Sequence, residues 1–342
     1  MAGAIRVAVI GLVHENVWTV VEQVSELSYV DIVGAADPNE ESRARFAKAT
    51  GCGSESLYAN PADLLDGETF HAVISGLLPV EHVALTELCA ERGLGLFVEK
   101  PMATSLDEMD QIVTAVQRTE IPYMVDFPLL WSAPIRAAVQ RARDGEIGDI
   151  YESRYRVSKP RTGTPNGSAE YARWLYSPTH NSTGAYLDLC SYGAQLTSWL
   201  LGEPTSVMGT GGTLANDELD VFDNAILIAK YPKAFSISEG TWSSFGAQTP
   251  ATLEIHGSEG ILTVTGKMLL RHTSQHAVGV PIELDPLPEG SRNGIEHFCD
   301  ALRRDEAPDE PFSLTTTRRA QEIVEAGRRA IETGLECPLP VR

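Results

Sequence analysis

The first 127 residues alternate short, β-branched apolar runs with longer stretches of helical periodicity. IRVAVIGL (5–12), VDIVGAAD (30–37), HAVISGL (71–77), GLGLFVEK (93–100) and YMVDF (123–127) are each followed by a segment whose apolar residues recur every three to four positions. Runs that are apolar on both faces, each followed by a helix, predict a parallel, doubly wound α/β sheet. Beyond Asp144 and Gly145 the pattern changes. YESRYRV (151–157), NAILIAKY (224–231), AFSISEGTW (234–242) and ATLEIHG (251–257) alternate apolar and polar residues. A period of two predicts strands buried on one face, joined here by short turns into a mostly antiparallel open sheet. One helical segment (185–201) interrupts them, and two more (293–304 and 314–333) close the chain. The expected organisation is therefore α/β, with a dinucleotide-binding domain over 1–128 and an α+β domain over 129–342.

Composition narrows the partners. The 342 residues carry 47 acidic and 27 basic side chains, a formal charge of −20, which disfavours nucleic acid and anionic membrane surfaces. No apolar run reaches the ~20 residues of a membrane helix and the N-terminus lacks a signal-peptide layout, so a cytoplasmic location is expected. The five cysteines show no metal-binding spacing, and His272 and His276 have no third ligand nearby, so no metal is expected. Arg318, Arg319, Arg328 and Arg329 read as the solvated face of the last helix.

The chemistry begins at the first strand–helix turn, Gly11-Leu12-Val13-His14-Glu15-Asn16, where a dinucleotide fingerprint would read G-x-G-x-x-G. Only the first glycine is present. Val13 and Asn16 replace the others, and His14 could hydrogen-bond a pyrophosphate or a ribose. The turn still leads into a helix whose amino end attracts phosphate. Asp37 ends the second run, where a carboxylate accepts the ribose hydroxyls of NAD and repels the extra phosphate of NADP. Capping the next helix is its alternative role. Glu99-Lys100-Pro101 ends the fifth run, at the carboxyl edge where ligands bind in open α/β sheets.

EKP followed by ATSLDEMDQI (103–112), preceded by Pro79-Val80-Glu81-His82, resembles the glucose-fructose oxidoreductase/inositol dehydrogenase (Gfo/Idh/MocA) family. The likeness continues through FPLLWSAPIRAAVQRARDGEIGDIYESRYRV, GAYLDLCSYGAQLTSWLLGEP, GSEGILTV and FCDALRRDEAP, nearly the whole chain. It implies an NAD-dependent oxidoreductase acting on a secondary hydroxyl or ketone of a sugar, cyclitol or sugar derivative. It also implies a nicotinamide-facing helix carrying Asp188 and Tyr192 and, with Lys100, a proton-handling and substrate-orienting trio. Tyr192 or Lys100 would be the immediate proton partner. The resemblance further places Leu78, His82 and Glu99 by the cofactor, and Arg173, Trp174 and His180 in a loop before the Asp188 helix that faces the substrate. Ser182-Thr183-Gly184 stands where three glycines are usual, and the apolar Phe127–Trp131 stretch replaces an expected arginine. A redox-neutral, NAD-dependent glycoside hydrolase and a non-catalytic sensor are the alternatives. A homodimer or homotetramer is expected, joined through the open sheet.

Overall fold

A computed structural model describes residues 4–160, 169–179, 181, 183–245 and 252–341. The chain begins β1 (Ile5–Ile10), α1 (Asn16–Ser25), β2 (Val30–Ala36), α2 (Glu40–Thr50), β3 (Leu57–Tyr58), α3 (Pro61–Gly67), β4 (Ala72–Ser75), α4 (His82–Arg92), β5 (Gly95–Glu99), α5 (Leu106–Thr119) and β6 (Tyr123–Asp126). It continues α6 (Ala133–Arg143), β7 (Ile150–Pro160), α7 (Ala169–Leu175), a wide π-helical turn (Tyr186–Cys190), α8 (Ser191–Leu201), β8 (Ser206–Gly212), β9 (Asn224–Lys230) and β10 (Phe235–Ser244). Four further strands, β11 (Thr252–Gly257), β12 (Gly260–Thr265), β13 (Met268–Thr273) and β14 (His276–Ile282), precede α9 (Gly294–Arg304), α10 (Leu314–Thr333) and β15 (Cys337–Pro338).

Two compact units result. The first contains the chain up to Asp126, Tyr171 and Pro288–Leu314. Its six strands run parallel in the order β3-β2-β1-β4-β5-β6. The order reverses beside β1, and this topological switch opens a crevice at the strands' carboxyl ends. Val7, Ala8, Val9, Ile10, Leu96 and Val98 are fully buried, as strands covered on both faces require. The helices start where the sequence supplies caps. Asn39 accepts from the Glu41 and Ser42 amides and Ser105 accepts from that of Glu108. The division departs from a single cut at residue 128, because α9 packs on the first sheet. Phe298 lies 5.6 Å from the Phe97 ring, and the absent side chain of Gly95 makes room for Leu302.

The second unit is built on a nine-stranded sheet, β14-β13-β12-β11-β7-β10-β9-β8-β15. Every pair is antiparallel except the central β7–β10 pair, which is parallel. The alternation expected in β9, β10 and β11 is present: Leu227, Ser238 and Ile255 are buried, while their neighbours are partly exposed. Strands β8, β12, β13 and β14 carry a weaker alternation and were not among the expected ones. β14 forms an exposed rim on which Val278 is 92% accessible.

On the covered face the π-helical turn, α8 and α10 enclose a core of Tyr186, Cys190, Ala194, Leu227, Ile323 and Ala326. The arginines of α10 are more than a solvated stripe. Arg318 pairs with Glu322, Arg328 and Arg329 pair with Glu325, and Arg319 donates to the Ser198 carbonyl. Among the described residues no helix is long and apolar enough to cross a membrane, and no cluster of His, Cys, Asp or Glu could hold a metal ion.

Candidate active site

In the first unit the predicted cofactor residues converge on the carboxyl ends of β1, β2, β4 and β5. Gly11 leaves β1 with φ of 81°, and a Cβ there would lie 2.7 Å from the Leu77 backbone nitrogen. Only glycine suits that left-handed, close approach. Asp37, 1% exposed, ties the loop to β2. One carboxylate oxygen accepts the Leu12 amide at 2.6 Å and the other accepts the Asn39 amide at 2.8 Å. Asp37 therefore steadies the start of α2 through its N-cap residue, and a carboxylate has further lone pairs for ribose hydroxyls.

The sequence loop around Val13 folds differently from a three-glycine cradle. His14 is buried, its Nδ1 accepts the Asn16 amide at 3.3 Å, and its ring meets Tyr171 edge-on at 5.0 Å. It anchors the loop in place of the missing glycines. Val13 is half-buried in the same turn. Asn16 opens α1, and its side-chain Nδ2 donates to Glu99 Oε2 at 3.2 Å, linking α1 to the end of β5. Glu15, the N-cap of α1, makes no side-chain cap hydrogen bond to the first turn. A left-handed glycine, a buried acid at β2 and the amino end of α1 fit a dinucleotide; Val13 in the second glycine position is the departure.

Lys100, 4% exposed, follows β5. His82 stands behind it, fully buried, with Nδ1 at 3.0 Å from the carbonyl of Met102, two residues beyond the lysine. Burial pushes its pKa down to about 4, so the imidazole is neutral and acts as a hydrogen-bonding strut. Leu78 caps the short turn before α4, its amide donating to Glu81.

Asp188 and Tyr192 lie in the second unit. Asp188 lies in the π-helical turn, 2% exposed, and its Oδ2 accepts from Lys159 Nζ at 2.8 Å and Trp242 Nε1 at 3.0 Å. Neither donor was among the expected residues. Both end strands that the alternation did reveal, and Lys159 continues the inward face of Ser153, Tyr155 and Val157. Tyr192 is buried, its ring edge-on to Phe127 at 5.8 Å, so the apolar segment in place of the expected arginine packs on the candidate tyrosine. Arg173 and Trp174, expected in a loop, sit on helix α7, with the arginine exposed and the tryptophan buried. His180 and Ser182 lie outside the described residues.

Residues 5–127 match the oxidoreductase family with an NAD-binding Rossmann fold, and residues 135–263 match the GFO/IDH/MocA C-terminal domain. The chain belongs to the Gfo/Idh/MocA family. It is accordingly an NAD(P)-dependent oxidoreductase acting on CH–OH groups. It is 26% identical over 321 residues to scyllo-inositol 2-dehydrogenase (NAD(+)) of Bacillus subtilis, covering 90% of this chain and 89% of that protein. It is 24% identical over 248 residues to levoglucosan dehydrogenase of Pseudarthrobacter phenanthrenivorans, covering 66% and 62%. Among solved structures, levoglucosan dehydrogenase in complex with NADH superposes with a TM-score of 0.83 at 19% identity, covering 99% of this chain and all of that one. Aldose-aldose oxidoreductase from Caulobacter crescentus shares the fold equally well, with a TM-score of 0.83 at 18% identity over 98% of this chain and 100% of that one.

Proposed function

We propose that this member of the family transfers hydride between NAD and a secondary hydroxyl or ketone of a neutral cyclitol, sugar or sugar derivative. The observation that carries the reading is Asp188, a carboxylate buried at 2% exposure and held by two donors in the segment matched by the family's C-terminal domain. Isolated buried carboxylates are costly, and one furnished with donors in a family-matched segment is a functional-site candidate. The relatives named for inositol and levoglucosan support a polyhydroxylated ring as substrate. A carboxylate at Asp37, at the end of β2, supports NAD over NADP.

NAD, when bound, supplies the hydride acceptor. Removing the hydroxyl proton falls to side chains, and we assign that task to Lys100 and Tyr192, with Asp188 orienting the hydroxyl; such acid–base assistance contributes ~10²–10⁴-fold. Arg173, exposed on α7, and Trp174, buried on the same helix, are assigned to substrate contact.

The experiment is NAD and NADP reduction, followed by nicotinamide absorbance, against a panel of inositols, levoglucosan and aldoses. Reduction of NAD with at least one polyol is expected, and no reduction with any defeats the reading.

Homo-oligomerisation belongs to the same proposal. Met208, Ile226, Phe235 and Met268 remain exposed on the second unit's sheet. Its open face also holds a cavity of about 330 Å³ lined by Arg156, Thr210, Ile226, Glu239 and Thr241, on the side opposite Asp188. We assign this face to contact with another copy of the chain, as dimer or tetramer. A monomer mass in sedimentation at micromolar concentration would contradict it.

A further inference from the structure

Asp188 gets its direction from the sheet. Lys159 Nζ and Trp242 Nε1 converge on the same oxygen, Oδ2, at 2.8 and 3.0 Å. Two donors on one oxygen stop rotation of the carboxylate, so Oδ1 has a fixed direction too. The indole is itself braced. The Trp242 amide donates to the Asp223 carbonyl at 2.8 Å, and Tyr176 meets the indole edge-on at 5.5 Å. Asp223 is in turn fastened by the amides of Leu214, Ala215 and Asn216. The turn is pressed onto β10 at Gly240, where a Cβ would meet Leu189 Cβ at 2.8 Å and the Ala185 carbonyl at 2.9 Å.

The two donors differ in kind. Trp242 is 5% exposed and uncharged, so it can orient Asp188 but cannot neutralise it. The Lys159 side chain is 34% exposed, against 3% for Asp188, and brings a positive charge from the solvent edge to a buried acid. An ammonium in direct contact favours the ionised carboxylate, and its exposure limits the cost of desolvating the lysine.

We propose that Lys159 is a positioning residue for this oxidoreductase, holding Asp188 ionised and turned by its Oδ2 into the strands, with Trp242 as the second support. It acts through Asp188 and not on the substrate. Its catalytic consequence rests on the role given to Asp188 above.

The test is a double-mutant cycle on the full-length enzyme with NAD, using myo-inositol and levoglucosan as probes. Lys159→Met is expected to lower kcat about 30-fold with KM for the polyol within about threefold, the loss of a partly screened partner to a buried charge. Lys159→Arg restores most of that loss, since a guanidinium can donate to the same oxygen. Trp242→Phe, which removes only the N–H, costs about fivefold or less. In an Asp188→Asn background, Lys159→Met costs nothing further. Unchanged turnover in Lys159→Met, or losses that multiply in the double variant, overturns the proposal.

A second readout needs no substrate. Lys159→Met lowers Tm by about 5 °C, and adding Asp188→Asn recovers part of that shift because the uncompensated charge is gone. Tm shifts that simply add overturn the proposal even if no polyol is oxidised. Failure of the panel to reduce NAD would instead strike the substrate reading, so the two failures are distinguishable.

Discussion

The two units hold their candidate side chains by opposite means. In the first, each candidate residue is delivered by the strand that precedes it: Gly11 by β1, Asp37 by β2, Leu78 by β4, and Glu99 and Lys100 by β5. Parallel strands end together at one edge of the sheet, so connectivity alone brings these residues to one crevice. In the second, Asp188 is delivered by a helical turn, but its donors come from strands 29 and 54 residues away. That arrangement depends on the register of β7 against β10 and on the close approach at Gly240. A fold's topology can place a site; orienting one buried charge takes side chains from elsewhere in the chain.

The largest expected effect probes the delivered side chains. Lys100→Ala should lower kcat about 10³-fold in steady-state assays with NAD and a responding polyol, within the range for removal of a proton-handling group. Turnover within tenfold of the unmodified enzyme would show that the strand end supplies position without chemistry.

His82 tests whether the first unit also contains a braced element. Burial lowers its pKa from 6.5 to about 4, so the unfolded chain binds a proton there before the folded chain does. Its contribution to stability is therefore complete above about pH 6.5 and is lost progressively as pH falls toward 4, amounting to about 3 kcal/mol. Denaturant titrations across that range should show the loss, and His82→Gln should flatten it. An unchanged slope would mean that His82 titrates like an exposed histidine.

Gly11→Ala strikes the crevice at its tightest backbone contact. The positive φ and the 2.7 Å approach to Leu77 predict a cost of about 2 kcal/mol in unfolding free energy, accompanied by weaker NAD binding in calorimetry. Retention of both would mean that the loop can move aside.

The smallest effect is at Asp37. Asp37→Asn keeps an acceptor for one of the two amides but removes the charge. It should weaken NAD about tenfold and narrow the discrimination against NADP. An unaltered NAD/NADP ratio would leave Asp37 as a structural tie between Leu12 and Asn39.

Much of this is legible in the sequence. The apolar runs followed by helices marked the parallel sheet, and Asp37 and Lys100 stood out because they end such runs. The sequence offers His14 to a pyrophosphate or a ribose; its burial and its ring contact with Tyr171 also tie down the loop, because a side chain in place of glycine had to pack somewhere. The sequence pattern assigns α9 to the second domain, since periodicity reveals an apolar face but not the sheet it will cover. The loop expected around Arg173 is helical for a similar reason: a seven-residue helix is too short to declare itself by period.

Legible from the chain alone were most strands and helices around the parallel sheet, the strands β7, β9, β10 and β11 of the second sheet, the residues that end the parallel strands, and the family to which the chain belongs. Those properties follow from local periodicity and from short motifs. Tertiary structure alone decided that Lys159 and Trp242 share one oxygen of Asp188, that His82 braces the Lys100 loop, and that α9 covers the first sheet. Each depends on contacts between distant segments, and such contacts exist only once strand register and close packing have brought the segments together.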